Sequence, residues 1–282
     1  MTTISSPTQT VSFGGLNPTA IVGERINPTG KARLMAALQR SDFGVVESEA
    51  KRQVLAGATV LDVNVGAPGV DEPVVLRRAV EIVAGVTDVP LCIDSSSPSA
   101  LAAALSVYKG KALVNSVTAE DRSLNAVLPI VRDHGAAIVG LLQNDEGIPP
   151  TIEGRLDIAR RILDRALAMG IPQDDLVIDC ICLTAGADPS APVVTFQALQ
   201  AVTQKLGLST ILGASNISFG LPGRRTINAT FLGMAIGAGL SAAIVDPTIV
   251  ETMDAIMIAD MLAGRDDYAM RYITYFRAKP QA

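Results

Sequence analysis

The sequence has few of the side chains on which metal, nucleophilic and redox chemistry most often depend. Its 282 residues include one His, three Cys and no Trp, and aromatic residues make up only 4%. No His, Cys and carboxylate residues have the spacing of a catalytic zinc site, so no metal centre is predicted. Three Cys residues do not make a disulfide framework, which favours a reducing, cytoplasmic setting. The net charge of −5 argues against nucleic acid as the main partner.

Long apolar runs are also missing. No run approaches the roughly 20 apolar residues that a membrane-spanning helix needs, so no membrane association is expected. The start of the chain, MTTISSPTQTVSFGG, lacks both the basic beginning and the apolar centre of a signal peptide. Its Ser, Thr and Gly content predicts a loose arm over residues 1–16. The remaining residues, 17–282, are predicted to form one domain, and the hydrophobic content of 49% is high enough for a large core.

Eight short apolar runs form the main pattern of the sequence, and most of them end in a carboxylate, amide or hydroxyl side chain. Each is rich in Val, Ile and Leu and has the length of a buried strand. The runs are 19–27, 59–66, 90–95, 112–117, 136–145, 176–180, 210–216 and 242–247. Helices are predicted at 42–57, 74–86, 98–108, 121–134, 152–169, 195–206, 226–239, 248–263 and 266–277. Eight buried strands alternating with helices predict an α/β fold, the closed (β/α)8 TIM barrel.

Polar side chains at the ends of these runs mark the expected active site. In a (β/α)8 barrel the carboxyl ends of all strands meet at one face, and the active site lies there. Asp62 and Asn64 alternate with Val, so they point to the same side of their strand. The side chains expected to converge are Glu24, Asn27, Asp62, Asn64, Asp94, Asn115, Gln143, Asn144, Asp179, Asn216 and Asp246.

Several of these positions also have a purely structural interpretation. Asp62 can cap a loop, and Asp94 with the serines after it can cap the helix that follows. Asn is unfavourable in a buried strand unless it finds hydrogen-bond partners. Its occurrence at the ends of two strands, as Asn115 and Asn216, therefore indicates a polar ligand. Asp179 follows an apolar run and likewise needs a hydrogen-bond donor from the protein or from a ligand.

The residue types narrow the ligand. Asp accepts hydrogen bonds and Asn both donates and accepts. This combination suits a flat heterocycle with N–H donors and acceptors on one edge, such as a pterin or a guanine-like ring. None of the six Lys residues ends a strand, which argues against a Schiff-base aldolase. The only His, His134, falls in a predicted turn at the opposite barrel face and is interpreted as a surface residue.

Two glycine-containing loops follow strand ends. The first, NPTGK at 27–31, is predicted to be a tight loop over the pocket, and its glycine spacing does not match a P-loop. The second, SFGLPGRR at 218–225, is predicted to be extended and mobile. Its residues Arg224 and Arg225 suit an anionic ligand tail or an acidic partner protein, and a solvated charge pair is the alternative.

With these residues the sequence resembles the pterin-binding methyltransferases that act on tetrahydrofolate and a corrinoid protein. The resemblance covers about residues 17–265. It is carried by GERINPTGK, LDVNVGAPGVDE, CIDSSSPSAL, LVNSVTAE, QNDEGIP, VIDC and GASNISFGLPGR. It implies the pterin-binding type of (β/α)8 barrel, the same fold that the strand pattern predicts.

The resemblance also implies roles for individual residues. Asp94, Asn115 and Asp179 would hydrogen-bond the pterin ring. Asn216 would be the catalytic residue, because it would lie beside N5, the nitrogen that carries or receives the methyl group. The residues that would line the same pocket are Asp62, Asn64, Asn27 and Gln143.

The implied activity is methyl transfer between N5 of tetrahydrofolate and the cobalt of a corrinoid. Tetrahydrofolate or 5-methyltetrahydrofolate would be the substrate, a separate protein would supply the corrinoid, and the enzyme would be a homodimer with residues 266–277 as one candidate contact. Sparse basic patches favour transfer from the methylcorrinoid to tetrahydrofolate.

Two alternatives stay open. One is a dihydropteroate synthase-like enzyme, which the absence of basic residues at the last two strand ends disfavours. The other is a non-catalytic pterin-binding or corrinoid-docking subunit.

Overall fold

The computed structural model describes residues 1–279, which form ten strands and ten α-helices. The strands are β1 (Thr2–Ser5), β2 (Thr10–Phe13), β3 (Ala20–Ile26), β4 (Val60–Val63), β5 (Leu91–Asp94), β6 (Leu113–Thr118), β7 (Ala137–Leu141), β8 (Leu176–Asp179), β9 (Ser209–Gly213) and β10 (Ala242–Val245). The helices are α1 (Ala32–Gln39), α2 (Gly44–Leu55), α3 (Glu72–Val86), α4 (Pro98–Leu105), α5 (Asp121–Asp133), α6 (Ile152–Ala168), α7 (Ala191–Ala201), α8 (Arg224–Gly237), α9 (Val250–Leu262) and α10 (Met270–Ala278). The last three residues of the predicted domain 17–282 lie outside the described residues.

Strands β3 to β10 form a closed barrel in which every neighbouring pair is parallel. The order is sequential around the barrel, and β10 closes it against β3. Each of the eight predicted runs overlaps one barrel strand; β6 and β9 extend one residue beyond their runs. The predicted fold class is therefore confirmed. Eight buried strands linked by helices can satisfy all their backbone hydrogen-bonding groups when the sheet closes on itself.

Apolar side chains from all eight strands fill the barrel interior. They form one cluster, separate from the larger core between the strands and the surrounding helices. The interior cluster contains Ala20, Val22, Val60, Cys92, Leu113, Ala137, Val139, Val177, Ile211 and Ala242, together with Ile4 and Phe13 from the N-terminal segment. These positions define the inward face of each strand, since successive side chains of a strand point to opposite sides.

The prediction of a loose arm over residues 1–16 is wrong. Strands β1 and β2 pair as an antiparallel hairpin. Ile4 and Phe13 are buried and belong to the barrel-interior cluster. Thr2 Oγ1 donates a hydrogen bond to Ser209 Oγ at 3.0 Å, and the Ser5 amide donates to the Lys111 carbonyl at 2.9 Å. The hairpin is ordered because its two large apolar side chains cover the end of the barrel where the strands begin.

The predicted helices are present, and their boundaries follow local chemistry. Ser97 caps α4, accepting a hydrogen bond from the Ala100 amide at 3.3 Å, and Thr151 caps α6 in the same way. Helix α7 begins four residues before the predicted start. Helix α1, directly after the NPTGK loop, was not predicted. Among the helices of residues 1–279, none is both long and apolar enough to cross a membrane.

The C-terminal stretch 266–277 contains the predicted terminal helix, α10. It packs against α9, and the Tyr275 hydroxyl donates a hydrogen bond to Asp254 at 2.8 Å. Tyr272 and Tyr275 both pack against the main core. Much of the aromatic surface in this stretch is therefore used within the chain itself.

Candidate functional site

Five polar side chains stand on the inward face of the barrel, at the ends of the strands. Each lies two residues beyond a member of the interior apolar cluster, so strand alternation turns it toward the barrel axis. The five are Glu24, Asp62, Asp94, Asn115 and Asp179, which follow Val22, Val60, Cys92, Leu113 and Val177. The structure thus brings these predicted residues to one rim, with apolar side chains beneath them.

A polar cleft of about 450 Å³ opens beside this rim, at the ends of β5, β6 and β7. Three of the predicted site residues, Asp94, Asn115 and Gln143, line it. Asp94 and Asn115 are register partners on adjacent strands, which places an acid next to an amide. Such a pair presents acceptors and a donor along one line, as the edge of a planar heterocycle requires.

Asp94 remains available to a ligand because other residues cap the helix that follows it. Ser97 is the N-cap of α4, and Ser95 Oγ donates to the Glu72 carboxylate. Burial, with a further contribution from Glu72, raises the pKa of Asp94 to about 6, and a hydrogen bond from Asn64 opposes the rise. The capping interpretation thus applies to the serines and not to the acid.

Asp62 lies deeper than the other acids. It is only 2% exposed, and within residues 1–279 its Oδ1 atom has no hydrogen-bond partner. Burial, and then the neighbouring Asp94 charge, raise the pKa of Asp62 well above its ordinary value. Asn64, two residues further along, uses its Oδ1 to accept the Gly66 amide at 2.9 Å. The loop-capping role considered for Asp62 is therefore carried out by Asn64.

Asp179 already has one donor from the protein. Its Oδ1 accepts the Ile181 amide at 2.8 Å. Burial raises its pKa to about 6, and both this hydrogen bond and the charge of Arg155 oppose the rise. Arg155 donates to the Cys180 carbonyl at 2.7 Å and so lies behind the strand end. A ligand group that donates to Asp179 would stabilise its charged form in the same way.

Asn216 stands on the opposite side of the barrel mouth from the cleft residues. It is an exposed residue in the short 3₁₀ helix Ala214–Ser218, directly after β9. Its neighbour Ser215 donates to Glu24 Oε1 at 3.3 Å, which ties this helix to the end of β3. Burial raises the pKa of Glu24.

The loop after β3 is held by its own hydrogen bonds. Asn27 Oδ1 accepts the Thr29 amide at 3.0 Å. Lys31 Nζ donates to the backbone carbonyls of Glu24 and Asn27, both at 3.2 Å. The predicted tight loop is thus present, and Lys31 serves to stabilise it.

Two side chains expected to converge on the pocket serve other purposes. Asn144 Oδ1 accepts the Glu146 amide at 3.0 Å and shapes the turn after β7. Asp246 accepts the Thr248 amide at 3.0 Å and forms an ion pair with Arg25 at 2.6 Å. A local turn and an ion pair thus use oxygens of these two side chains, and their convergence on the pocket stays a prediction.

The loop 218–225 is folded back and is not extended as predicted. Arg224 begins α8 and donates to Ser218 Oγ at 3.1 Å and to the Ser215 carbonyl at 3.0 Å. Arg225 pairs with Glu251 at 3.6 Å. Phe219 is 71% exposed, and its carbonyl accepts a hydrogen bond from Thr184, which joins this loop to the one after β8. The two arginines therefore have partners within the protein.

Sequence reasoning missed several polar residues of the cleft. Thr118, Arg122 and Ser123 line it beside Asn115. The buried Thr118 Oγ1 has no hydrogen-bond partner in the described part of the chain. Thr118 lies within the LVNSVTAE segment, so the motif pointed to its neighbourhood. Arg122 and Ser123 lie in the first turn of α5, where no sequence signal separates a ligand contact from a solvated side chain.

Comparison with known sequences places this barrel in a family. A sequence profile of the pterin binding enzymes matches residues 23–246. The methylcorrinoid:tetrahydrofolate methyltransferase of Eubacterium limosum is 30% identical over 263 residues, which cover 91% of this chain and 96% of that protein. The methionine synthase of Mycobacterium leprae is 29% identical over 255 residues, 86% of this chain but only 21% of that protein.

Solved structures show the same architecture. The 7,8-dihydropteroate synthase of Vibrio fischeri superposes with a TM-score of 0.68 at 17% identity, over 93% of this chain and 98% of that one. The Yersinia pestis dihydropteroate synthase gives a TM-score of 0.64 at 17% identity, over 92% and 98%. At these identities the likeness establishes the fold alone.

Fold and sequence together define a (β/α)8 barrel enzyme of the pterin-binding type. The chain belongs to the pterin binding enzyme family, and within it to the group that includes the methylcorrinoid:tetrahydrofolate methyltransferase. The family membership expected from the sequence motifs is therefore confirmed.

Proposed function

We propose that the protein transfers a methyl group between N5 of tetrahydrofolate and the cobalt of a corrinoid carried by a separate protein. The observation that carries this proposal is the set of four inward acids and one amide, at the ends of β3, β4, β5, β6 and β8, at the mouth of a pterin-binding barrel. The similarity to the methylcorrinoid:tetrahydrofolate methyltransferase supports it, since it extends over 96% of that protein. For direction we propose transfer from the methylcorrinoid to tetrahydrofolate, which that relative's name describes.

In this proposal the barrel mouth, with the cleft beside it, binds the pterin ring by its edge. The carboxylates of Asp94 and Asp179 accept hydrogen bonds from ring N–H groups, and the Asn115 amide donates to a ring acceptor. The predicted roles of Asp62, Asn64, Asn27 and Gln143 in lining the pocket are proposed to hold as well. The polar groups inside the barrel end match the ring, and the apolar layer beneath them excludes water from its lower face.

Asn216 is proposed to act at N5. The corrinoid of the partner protein supplies the cobalt. This chain binds the folate, orients it and forms a hydrogen bond to N5. In transfer from the methylcorrinoid to tetrahydrofolate, the N5 lone pair forms the new carbon–nitrogen bond, cobalt keeps the electron pair of the broken cobalt–carbon bond, and the proton of N5 is released to solvent. Positive charge therefore grows on N5, and the Asn216 side-chain oxygen stabilises it by accepting the N5–H; the gain is larger in a site from which water is excluded. Asn216 lies on a turn fixed by Ser215 and Arg224, which would limit its reorganisation.

The substitution Asn216→Ala tests this role. We expect single-turnover methyl transfer to slow by about 100- to 1,000-fold, the usual effect of removing one preorganised hydrogen-bonding group. Folate affinity should change by only a few-fold, because the acids on the rim still hold the ring. Methyl transfer is followed by the ultraviolet–visible spectrum of a methylated corrinoid protein mixed with the enzyme and tetrahydrofolate, and affinity by isothermal titration calorimetry.

A matched control is Asn125→Ala, which removes an exposed amide from α5 and should leave both rate and affinity unchanged. Equal losses of affinity and rate in Asn216→Ala would contradict a role at N5. Folate binding by the wild-type protein with no methyl transfer would instead favour a non-catalytic pterin-binding subunit.

The solved structures make a dihydropteroate synthase-like activity the second candidate. Such an enzyme needs basic residues for a pyrophosphate at the late strand ends. Here Asp246 follows β10 and is paired with Arg25, and Arg224 is held by Ser215 and Ser218. An assay for dihydropteroate formation separates the two activities, and we expect it to be negative.

We further propose that the enzyme is a cytoplasmic homodimer. The three cysteines are free and buried, as is common in a reducing compartment. The face proposed for the dimer is the groove between α8 and α9, of about 400 Å³, lined largely by Ala and Gly with Met234, Ile258 and Leu262 along it. Contiguous exposed apolar surface of this kind typically marks a protein interface.

A further inference from the structure

The buried acid Asp62 has an unusual environment. Its Cα is the register partner of Cys92 on β5, so it lies one inward position below Asp94. The apolar interior cluster, including Val60, lies beneath it. Within residues 1–279 its Oδ1 has no hydrogen-bond partner, and only 2% of the residue is exposed. A buried carboxylate oxygen left without a donor is costly, so the charged form of this side chain is disfavoured.

The groups around Asp62 offset a negative charge only in part. Burial and the charges of Asp94 and Glu24 raise its pKa, and hydrogen bonding by the Cys92 thiol and the Asn115 amide opposes that rise without cancelling it. Three cations near the barrel mouth are directed elsewhere, and Arg122, which lines the cleft, does not contribute to the pKa of either acid. Lys31 donates to backbone carbonyls, Arg25 binds Glu49 and Asp246, and Arg155 donates to Cys180. Two acids on adjacent strands with no cation between them do not both ionise readily.

We propose that Asp62 holds a proton at neutral pH and acts from the pocket floor as a neutral carboxylic acid, beside the ionised Asp94. In that state it offers one O–H donor at Oδ1, where the structure shows no partner, and keeps an acceptor oxygen for Asn115 or Cys92. Asp62 and Asp94 then present a donor and an acceptor side by side. This arrangement selects planar rings whose edge carries an acceptor next to N–H donors. The contact between Asp62 and such a ring rests on the proposed function, and the protonation of Asp62 does not.

Charge and burial agree with this order of titration. Burial raises the pKa of both acids, and Asp62 has the apolar layer below it and the charge of Asp94 above it. Asp94 is closer to solvent and has the Asn64 amide as a donor, so it is the member that ionises first. Because the two titrate as a pair, the proton remains on the deeper acid when the pair carries a single charge.

Infrared difference spectroscopy tests the protonation without any ligand. At pH 8 the acids with pKa values of about 6, Asp94 and Asp179, are ionised. The C=O stretch of a protonated carboxyl should be lost in Asp62→Asn and retained in Asp94→Asn. Loss of a carboxylate band in Asp62→Asn, with no loss of a protonated-carboxyl band, would overturn the proposal.

Folate binding tests the contact. An amide mimics a neutral acid, so Asp62→Asn should bind tetrahydrofolate within about threefold of the wild type between pH 6.5 and 8. Asp62→Leu, which fills similar space but has no donor, should bind about tenfold or more weakly. Asp94→Asn removes the charged acceptor and should also bind weakly.

The outcomes separate the two proposals. An equal loss in Asp62→Asn and Asp94→Asn would mean that Asp62 binds as a charged group, which overturns the inference even if methyl transfer is confirmed. If wild-type protein binds no folate, the proposed function fails and the ring contact fails with it, while the infrared band still decides the protonation of Asp62. Asp62→Asn keeps size and polarity, so both tests remain informative should Asp62→Leu fail to fold.

Discussion

At the level of single residues, the site places acids where burial opposes their charge. Asp94 and Asp179 each have a pKa raised to about 6, with burial as the largest cause. These acids are poorly solvated when charged, and a ligand with N–H donors relieves that cost. Such an arrangement is common where ligand binding is favoured over the stability of the ligand-free protein.

Removing the charge of Asp94 should consequently stabilise the empty protein. The carboxyl has a higher pKa in the folded state, about 6, than its ordinary value of 3.8. Its contribution to stability is thus fully present below pH 3.8 and is lost as the pH rises through about 6. At pH 7.5 we expect Asp94→Asn to increase the free energy of unfolding by up to about 3 kcal/mol, with no difference near pH 3.5.

Urea denaturation at several pH values measures this change. The control Asp145→Asn alters an exposed acid in the turn after β7 and should shift the unfolding free energy by less than about 0.5 kcal/mol. A destabilised Asp94→Asn variant at pH 7.5 would show that the charged form is better stabilised by its neighbours than its burial indicates.

At the level of secondary-structure elements, the N-terminal hairpin completes the barrel. A (β/α)8 barrel is packed with side chains and is not a pore, and here part of the packing at the end opposite the site comes from Ile4 and Phe13. The hairpin is also tied to the barrel by Thr2, which bonds Ser209 on β9. The hairpin closes the barrel at the end opposite the proposed active site.

The substitution Phe13→Ala should therefore destabilise the whole domain. Phe13 is among the largest fully buried side chains, and truncating such a residue typically costs about 3–5 kcal/mol. Urea unfolding of the variant should show this loss, while folate affinity of the folded fraction stays unchanged. The control Thr10→Ala lies at an exposed position of β2. A loss below about 1 kcal/mol in Phe13→Ala would mean that the hairpin frays from the barrel without cost.

At the level of the complete fold, one face remains apolar. Leu262 is 77% exposed and Met234 is 56% exposed, on either side of the groove between α8 and α9. The aromatic C-terminal stretch is a less suitable dimer contact, because Tyr272 and Tyr275 pack against the chain's own core. The groove face is therefore the surface that we propose for dimerisation.

The double substitution Met234→Glu and Leu262→Glu should weaken the proposed dimer. Burying carboxylates without partners in an apolar interface is costly, so we expect the dimer dissociation constant to rise by at least about 100-fold. Sedimentation velocity over a range of protein concentrations measures it. The control Leu55→Glu introduces the same charge at an exposed leucine of α2 and should leave the wild-type association unchanged. A monomeric wild-type protein at micromolar concentration would contradict the proposal.

The barrel and the residue types at its mouth follow from the sequence alone. Runs rich in Val, Ile and Leu are long enough only for buried strands, and the acid or amide that ends such a run must lie where the strand leaves the core. This local rule is sufficient to place Asp94, Asn115 and Asp179 at the same rim. It fails for residues 1–16, because a hairpin built largely of Ser and Thr becomes ordered only through the barrel end that Phe13 covers.

The partner of each polar group depends on the tertiary structure. Asp246 meets Arg25 across 221 residues of sequence, and Asp62 lies below Asp94 because the register of β4 against β5 sets it there. A strand pattern specifies the side to which a side chain points, since that depends on neighbouring residues only. It does not specify what stands opposite, because that depends on the closure of all eight strands. The protonation states of the acids at the barrel mouth therefore depend on how the eight strands close into a barrel.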